Sequence, residues 1–167
     1  MNITIVDERS TTKVTIGGTT GLAVEIGGYE GVASRVKAPT YRLCSEDGSV
    51  LCEVKRHIFS NMPFFTITFR DARGSVKLSQ EMSAFKICYS IQGNGLSFTG
   101  NFEKGDIDIL QEKRKLGHLH AKAFEGGVAV EILEVPEEPS VTLMGVALAY
   151  GLMIAYLRRP LQAASEE

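Results

Sequence analysis

The chain has 167 residues, a formal net charge of −2 and a hydrophobic fraction of 44%, with an isoelectric point near 6.0. That length fits one domain over 1-167 with a full core, and the lack of a basic excess argues against nucleic acid as a partner, since few phosphate counterions would be released. Three cysteines, Cys44, Cys52 and Cys88, have no metal-type spacing and leave an odd one, which suits the reducing cytoplasm.

Residues 1-39 form a glycine-rich stretch of short β-branched runs, at 3-6, 13-16 and 22-26, read as first strands or as an arm. Ile16-Gly17-Gly18-Thr19-Thr20-Gly21 returns as Ile26-Gly27-Gly28-Tyr29-Glu30-Gly31. Without a following Lys-Ser or Lys-Thr and a helix, this is turn chemistry and not a phosphate loop. From Tyr41 the alternation of apolar and polar residues is plainer. Tyr41 to Cys44 and Ser49 to Arg56 flank an Asp47-Gly48 turn, an arrangement that sets Cys44 opposite Leu51. Further strands are predicted at 64-70, 75-80, 85-91, 96-102, 106-111, 116-124 and 128-135, separated by turns rich in glycine. The segment Glu53 to Arg56 followed by Phe64 to Ile67 loosely repeats as Gln111 to Lys115 followed by His118 to Phe124. Many short, evenly spaced strands with no helical period before Ser140 indicate an antiparallel barrel or sandwich.

Ser140 to Leu157 differs from everything before it. It carries no charge, begins with Ser140 as an N-cap after Pro136-Glu137-Glu138-Pro139, and closes on Arg158-Arg159-Pro160. A helix apolar all round must be wrapped on every side, by lipid or by protein. Small residues at Gly145 and Ala149, and at Ala147, Gly151 and Ala155, form stripes for close backbone approach. The length is near the lower edge for a membrane span, about 17 residues, and the start of the chain is no signal peptide. The expectation is a central helix at 140-157 buried by protein, with a tail-anchored membrane protein as the alternative.

The order of elements resembles the tubby C-terminal-like superfamily, and within it the LURP-one-related proteins and their bacterial relatives. The likeness rests on antiparallel strands with basic turns, the segment Phe98-Thr99-Gly100-Asn101-Phe102, the strand Ile107-Asp108-Ile109, the basic turn Lys113-Arg114-Lys115 and one closing apolar helix. It spans Tyr41 to Leu157; the glycine-rich start departs from it. The resemblance implies a mainly β fold with one helix: a closed antiparallel β-barrel of about twelve strands around the hydrophobic C-terminal helix. It also implies a non-enzymatic binding module for anionic phospholipid, since tubby-like domains bind phosphoinositide head groups through basic residues. Carried over as charge type alone, the ligand residues are Lys55, Arg56, Lys113, Arg114 and Lys115. The protein is then cytoplasmic, or peripheral at a membrane surface, with no cofactor.

Catalytic chemistry is hard to find. His118 and His120 share one face of a strand and with Glu112 or His57 are the nearest approach to a metal set, yet no carboxylate is spaced to join them. There is no Gly-x-Ser-x-Gly, and the cysteines lie within strands. An enzyme with a barrel-mouth pocket using His118 or His120 is the alternative; no catalytic or metal residue is predicted.

Overall fold

The computed structural model describes residues 2–8, 11–17, 22–27, 40–57, 64–70, 74–83, 86–133 and 140–165. They form β1 (Asn2–Glu8), β2 (Thr11–Gly17), β3 (Ala23–Gly27), β4 (Thr40–Cys44), β5 (Val50–His57), β6 (Phe64–Phe69), β7 (Ser75–Ser83), β8 (Lys86–Gln92), β9 (Leu96–Asn101), β10 (Asp106–Gln111), β11 (Arg114–Phe124), β12 (Gly127–Leu133) and α1 (Val141–Ser165). The repeated glycine segments at 18-21 and 28-31 lie outside the described residues.

The strands make two six-stranded antiparallel sheets. Sheet A runs β2-β1-β12-β11-β10-β9 and sheet B runs β3-β4-β5-β6-β7-β8. The N-terminal runs are therefore strands, with β1 paired to both β12 and β2. The expected closed barrel does not form. At the β8–β9 connection Gly93, Asn94 and Gly95 all have positive φ (118°, 52° and 71°), a left-handed sequence that swings the backbone out of the ladder. Gly93 then rests on Ser75 and Val76 of sheet B, while the carbonyls of Asn94 and Gly95 accept from the Gln111 side chain at 3.0 Å and from Glu112 N–H at 2.9 Å in sheet A. Among the described residues β8 pairs only with β7, and β9 only with β10. Tyr89 of β8 and Phe98 of β9 both lean on Tyr150 of α1, with ring centroids 5.5 Å and 6.3 Å away. At this seam the sheets meet through aromatic side chains and not through backbone hydrogen bonds.

Between the sheets lies α1. Ser140 caps it, its Oγ accepting from Leu143 N–H at 3.2 Å, and every residue from Leu143 to Met153 is buried. The small-residue stripes explain how so tight a fit is reached. A Cβ on Gly145 would stand 2.8 Å from the Phe69 ring and 3.0 Å from Cys52 Sγ in sheet B; one on Gly151 would stand 2.7 Å from Ile5 and 2.9 Å from Val130 in sheet A. Gly117 of β11 gives way in the same manner to Leu143, whose Cδ2 would lie 2.7 Å from an added Cβ. The apolar character all round α1 is thus met by protein on both sides, and no helix among the described residues is long and apolar enough to cross a membrane. The helix also runs past its predicted end at Leu157 to Ser165, so Arg158-Arg159-Pro160 does not close it.

Candidate functional site

The five residues predicted to meet an anionic ligand do not form one cluster. Lys55 and Arg56 are adjacent on β5 and so point to opposite faces of sheet B. Arg56 faces the C-terminal end of α1, where its guanidinium lies 4.5 Å from the Tyr156 ring centroid. There it lines a shallow dimple, partly open to solvent, with Thr12, Tyr41, Phe65, Leu152, Ala155 and Tyr156. Lys113, Arg114 and Lys115 are at the other end of the helix, beyond the contact of Gly117 with Leu143. From Leu143 to Ala155 the helix rises roughly 18 Å, too far for one head group to span. The two segments also differ in kind, which ends the apparent repeat: Glu53 to Arg56 is strand interior, whereas Glu112 and Lys113 are the turn between β10 and β11, with φ of 51° and 67°. Two successive left-handed residues define a type I′ hairpin turn. It leaves Lys113 and Arg114 exposed, while Lys115 bonds Asp108 Oδ1 at 3.3 Å.

On the outer face of sheet A the two histidines do find carboxylates. The β10–β11 hairpin starts in the register Gln111↔Arg114, then shifts by one residue between Ile109 and Leu110, so that Asp108 pairs with His118 and Asp106 with His120. Leu116 is the extra residue of this bulge. Without it the same hairpin would set Asp106 opposite Leu119 and place the histidines on the other face. With it, His118 lies between two carboxylates, Nδ1 at 2.7 Å from Asp108 Oδ1 and Nε2 at 3.1 Å from Asp106 Oδ1, and His120 Nδ1 is 2.8 Å from the same Asp106 oxygen. Both ring nitrogens of His118 face carboxylate oxygens, an arrangement that favours the imidazolium, in which both donate. Its pKa is raised, first by the bond to Asp108 and then by Asp106; those of Asp106 and Asp108 are lowered, first by their bonds to His118. Sequence spacing gave the histidines one face; the carboxylates needed the bulge. Among the described residues no group of three or more such side chains is arranged to hold a metal ion, and in this ladder the nitrogens and oxygens are closed on one another by hydrogen bonds.

Sheet B places lysines about its own outward histidine. Register places Lys55, Thr66 and Lys77 side by side across β5, β6 and β7, with His57 beside Phe64 one step along. The His57 ring stacks on Phe64 at 4.4 Å and an interplanar angle of 6°, Lys77 Nζ lies 4.4 Å from the same ring's centroid, and His57 Nε2 is 2.9 Å from Thr66 Oγ1. The His57 pKa is lowered, by partial burial first and then by Lys55 and Lys77. The alternation of β6 and β7 signalled Thr66 and Lys77 as outward residues; only the register joins them to His57.

No protein-family model, curated protein or solved structure matches the chain. Its chemistry is read from these residues alone. Cys44 and Cys52 are buried and Cys88 partly so, all free; burial pushes the Cys52 thiol up to about 12, which removes it as a nucleophile near neutrality. Cys44 lies opposite Val50 and not Leu51, because the β4–β5 ladder has its own register shift after Leu43.

Proposed function

We propose that this chain is a non-enzymatic, tubby-like binding module, peripheral at membranes, that meets anionic phospholipid head groups with the basic tip of its β10–β11 hairpin. One observation carries the reading: the left-handed pair Glu112–Lys113 puts Lys113 and Arg114 at the exposed apex of a rigid two-residue turn, with Lys115 one step behind. A helix wrapped by strands of two sheets, its centre consumed as core, leaves recognition to the outer surface. Lys55 and Arg56, at the far end of α1, take no part in this contact.

The test is co-sedimentation with vesicles containing phosphatidylserine or a phosphoinositide, against neutral phosphatidylcholine vesicles. Each basic residue at an anionic surface is worth about 1 kcal/mol, so Lys113→Gln with Arg114→Gln should weaken binding by roughly 30-fold, and raised salt should do the same to the parent. Undiminished binding after reversing both charges, in a variant with unchanged circular dichroism, defeats the proposal.

A further inference from the structure

We infer that acid strengthens the phospholipid contact of the β10–β11 hairpin tip, because His118 and Lys115 compete for one oxygen of Asp108; this rests on Lys113 and Arg114 meeting head groups as proposed above. Lys115 Nζ lies 3.3 Å from Asp108 Oδ1, and His118 Nδ1 lies 2.7 Å from that same oxygen. His118 Nε2 reaches Asp106 Oδ1 at 3.1 Å, and His120 Nδ1 reaches it at 2.8 Å. From the tip inward, the outer face of sheet A thus carries an unbroken chain of contacts: Lys115, Asp108, His118, Asp106, His120. Lys115 follows Arg114 directly, so the chain starts beside the residues that meet the head groups.

Protonated, His118 sets a positive charge against Asp108, and the hold of the shared oxygen on Lys115 weakens, so the ammonium can turn to a phosphate. Neutral, His118 brings no charge, and of the two only Lys115 balances the carboxylate. The groups from Lys115 to Asp106 are then two anions against one cation, where before they were two against two. On the flanking strands, β9 sets uncharged Thr99 and Asn101 beside Asp108 and Asp106. On β12, Leu133 lies beside His118, and Glu131 faces His120. The His118–Asp108 bond is partly buried, where salt screens less than at an open surface. Asp108 is held below the usual carboxylate range, first by His118 and then by Lys115, so it stays ionised near neutrality. His118 is held above the ordinary value near 6.5, first by Asp108, so binding is lost as pH rises through that raised value.

Co-sedimentation with vesicles of phosphatidylglycerol and phosphatidylcholine, whose phosphodiester charge does not titrate near neutrality, reads the effect. Between about pH 6 and 9 the parent should weaken roughly fivefold as pH rises, the worth of one basic residue at an anionic surface. His118→Gln should bind at the weaker, alkaline level at both ends, and Lys115→Gln should likewise show no step. Asp108→Asn should also show no step, but at the stronger, acid level, because it removes the oxygen competed for. Opposite plateaus from two neutral replacements, each with unchanged circular dichroism, are not what a merely structural role would give. His120→Gln, which touches Asp106 and not Asp108, should keep the step. A step that survives His118→Gln or Lys115→Gln, or one abolished by His120→Gln, overturns the inference. So does a parent that binds equally at both ends while Lys113→Gln with Arg114→Gln still weakens it, an outcome that leaves the tip reading standing. If that double variant binds as the parent does, the tip reading itself falls, and the pH dependence with it.

Discussion

The two sheets are alike inside and opposed outside. Inside, each turns alternating apolar residues onto α1: Ile3, Ile5, Ile107, Ile109, Leu119 and Val130 from sheet A, and Leu43, Val54, Phe65, Ile67, Val76 and Leu78 from sheet B, all at 1% exposure or less. Outside, sheet A sets two aspartates against two histidines, and sheet B sets a histidine among lysines. Burial constrains the inner faces to one chemistry, because any polar group there would need a partner. The outer faces are under no such constraint, so their difference is where binding chemistry is to be sought.

The largest effect expected tests the likeness inside. Ile67→Ala in sheet B and Ile107→Ala in sheet A each delete methyl groups at 0% exposure and should cost about 2–5 kcal/mol apiece, seen as lower urea midpoints with a single transition in both. Similar losses are expected because both positions pack in the same core cluster as α1. A loss for one sheet only, or a second transition, would mean that the two sheets do not share that core.

This inner likeness was legible in the sequence, and the outer contrast was not. Alternation gave each of the strands nearly as it stands, and the uncharged run from Ser140, with its N-cap, gave the helix. Those signals are local. Whether β8 and β9 pair is bound up with three successive left-handed residues, Gly93 to Gly95, and with which backbone groups their carbonyls reach; the glycines announce a turn but not where it aims the strands. The His–Asp ladder depends on one bulged residue, Leu116, that shifts a register. The Lys55–Thr66–Lys77 row depends on two registers at once. Sequence patterns specify faces; pairing across strands specifies sites.

A smaller effect is expected at the seam where the sheets fail to join. Tyr150 is at 0% exposure and its hydroxyl has no hydrogen-bond partner among the described residues; burial drives its pKa upward. A buried hydroxyl left unpaired costs about 1–3 kcal/mol, and replacing it by an apolar group of the same shape removes that cost. Tyr150→Phe should therefore be neutral or raise stability by about 1 kcal/mol in urea unfolding, with the contacts of Tyr89 and Phe98 retained. A clear loss of stability would show that the hydroxyl is satisfied in solution, and that the seam holds a polar group between the sheets.

The smallest effect has the sharpest sign. The folded pKa of His118 is raised, so the stability it contributes is fully present below the ordinary value near 6.5 and is lost as pH rises through the folded value. The folded pKa of His57 is lowered, so its contribution is present above about 6.5 and is lost as pH falls through the folded value. Across the pH range around neutrality the two histidines tilt stability in opposite directions. His118→Gln should remove the decline on the alkaline side of that range, and His57→Gln the decline on the acid side, each read from urea midpoints between about pH 5 and 8. Aspartates behave in the third way: Asp106 and Asp108, with lowered pKa values, contribute above the ordinary carboxyl value near 3.9 and lose that contribution only in stronger acid. Their titration therefore leaves the neutral range to the histidines. If His118→Gln and His57→Gln change the profile on the same side, the two outer faces do not carry opposite fields, and the contrast between the sheets is one of residue names alone.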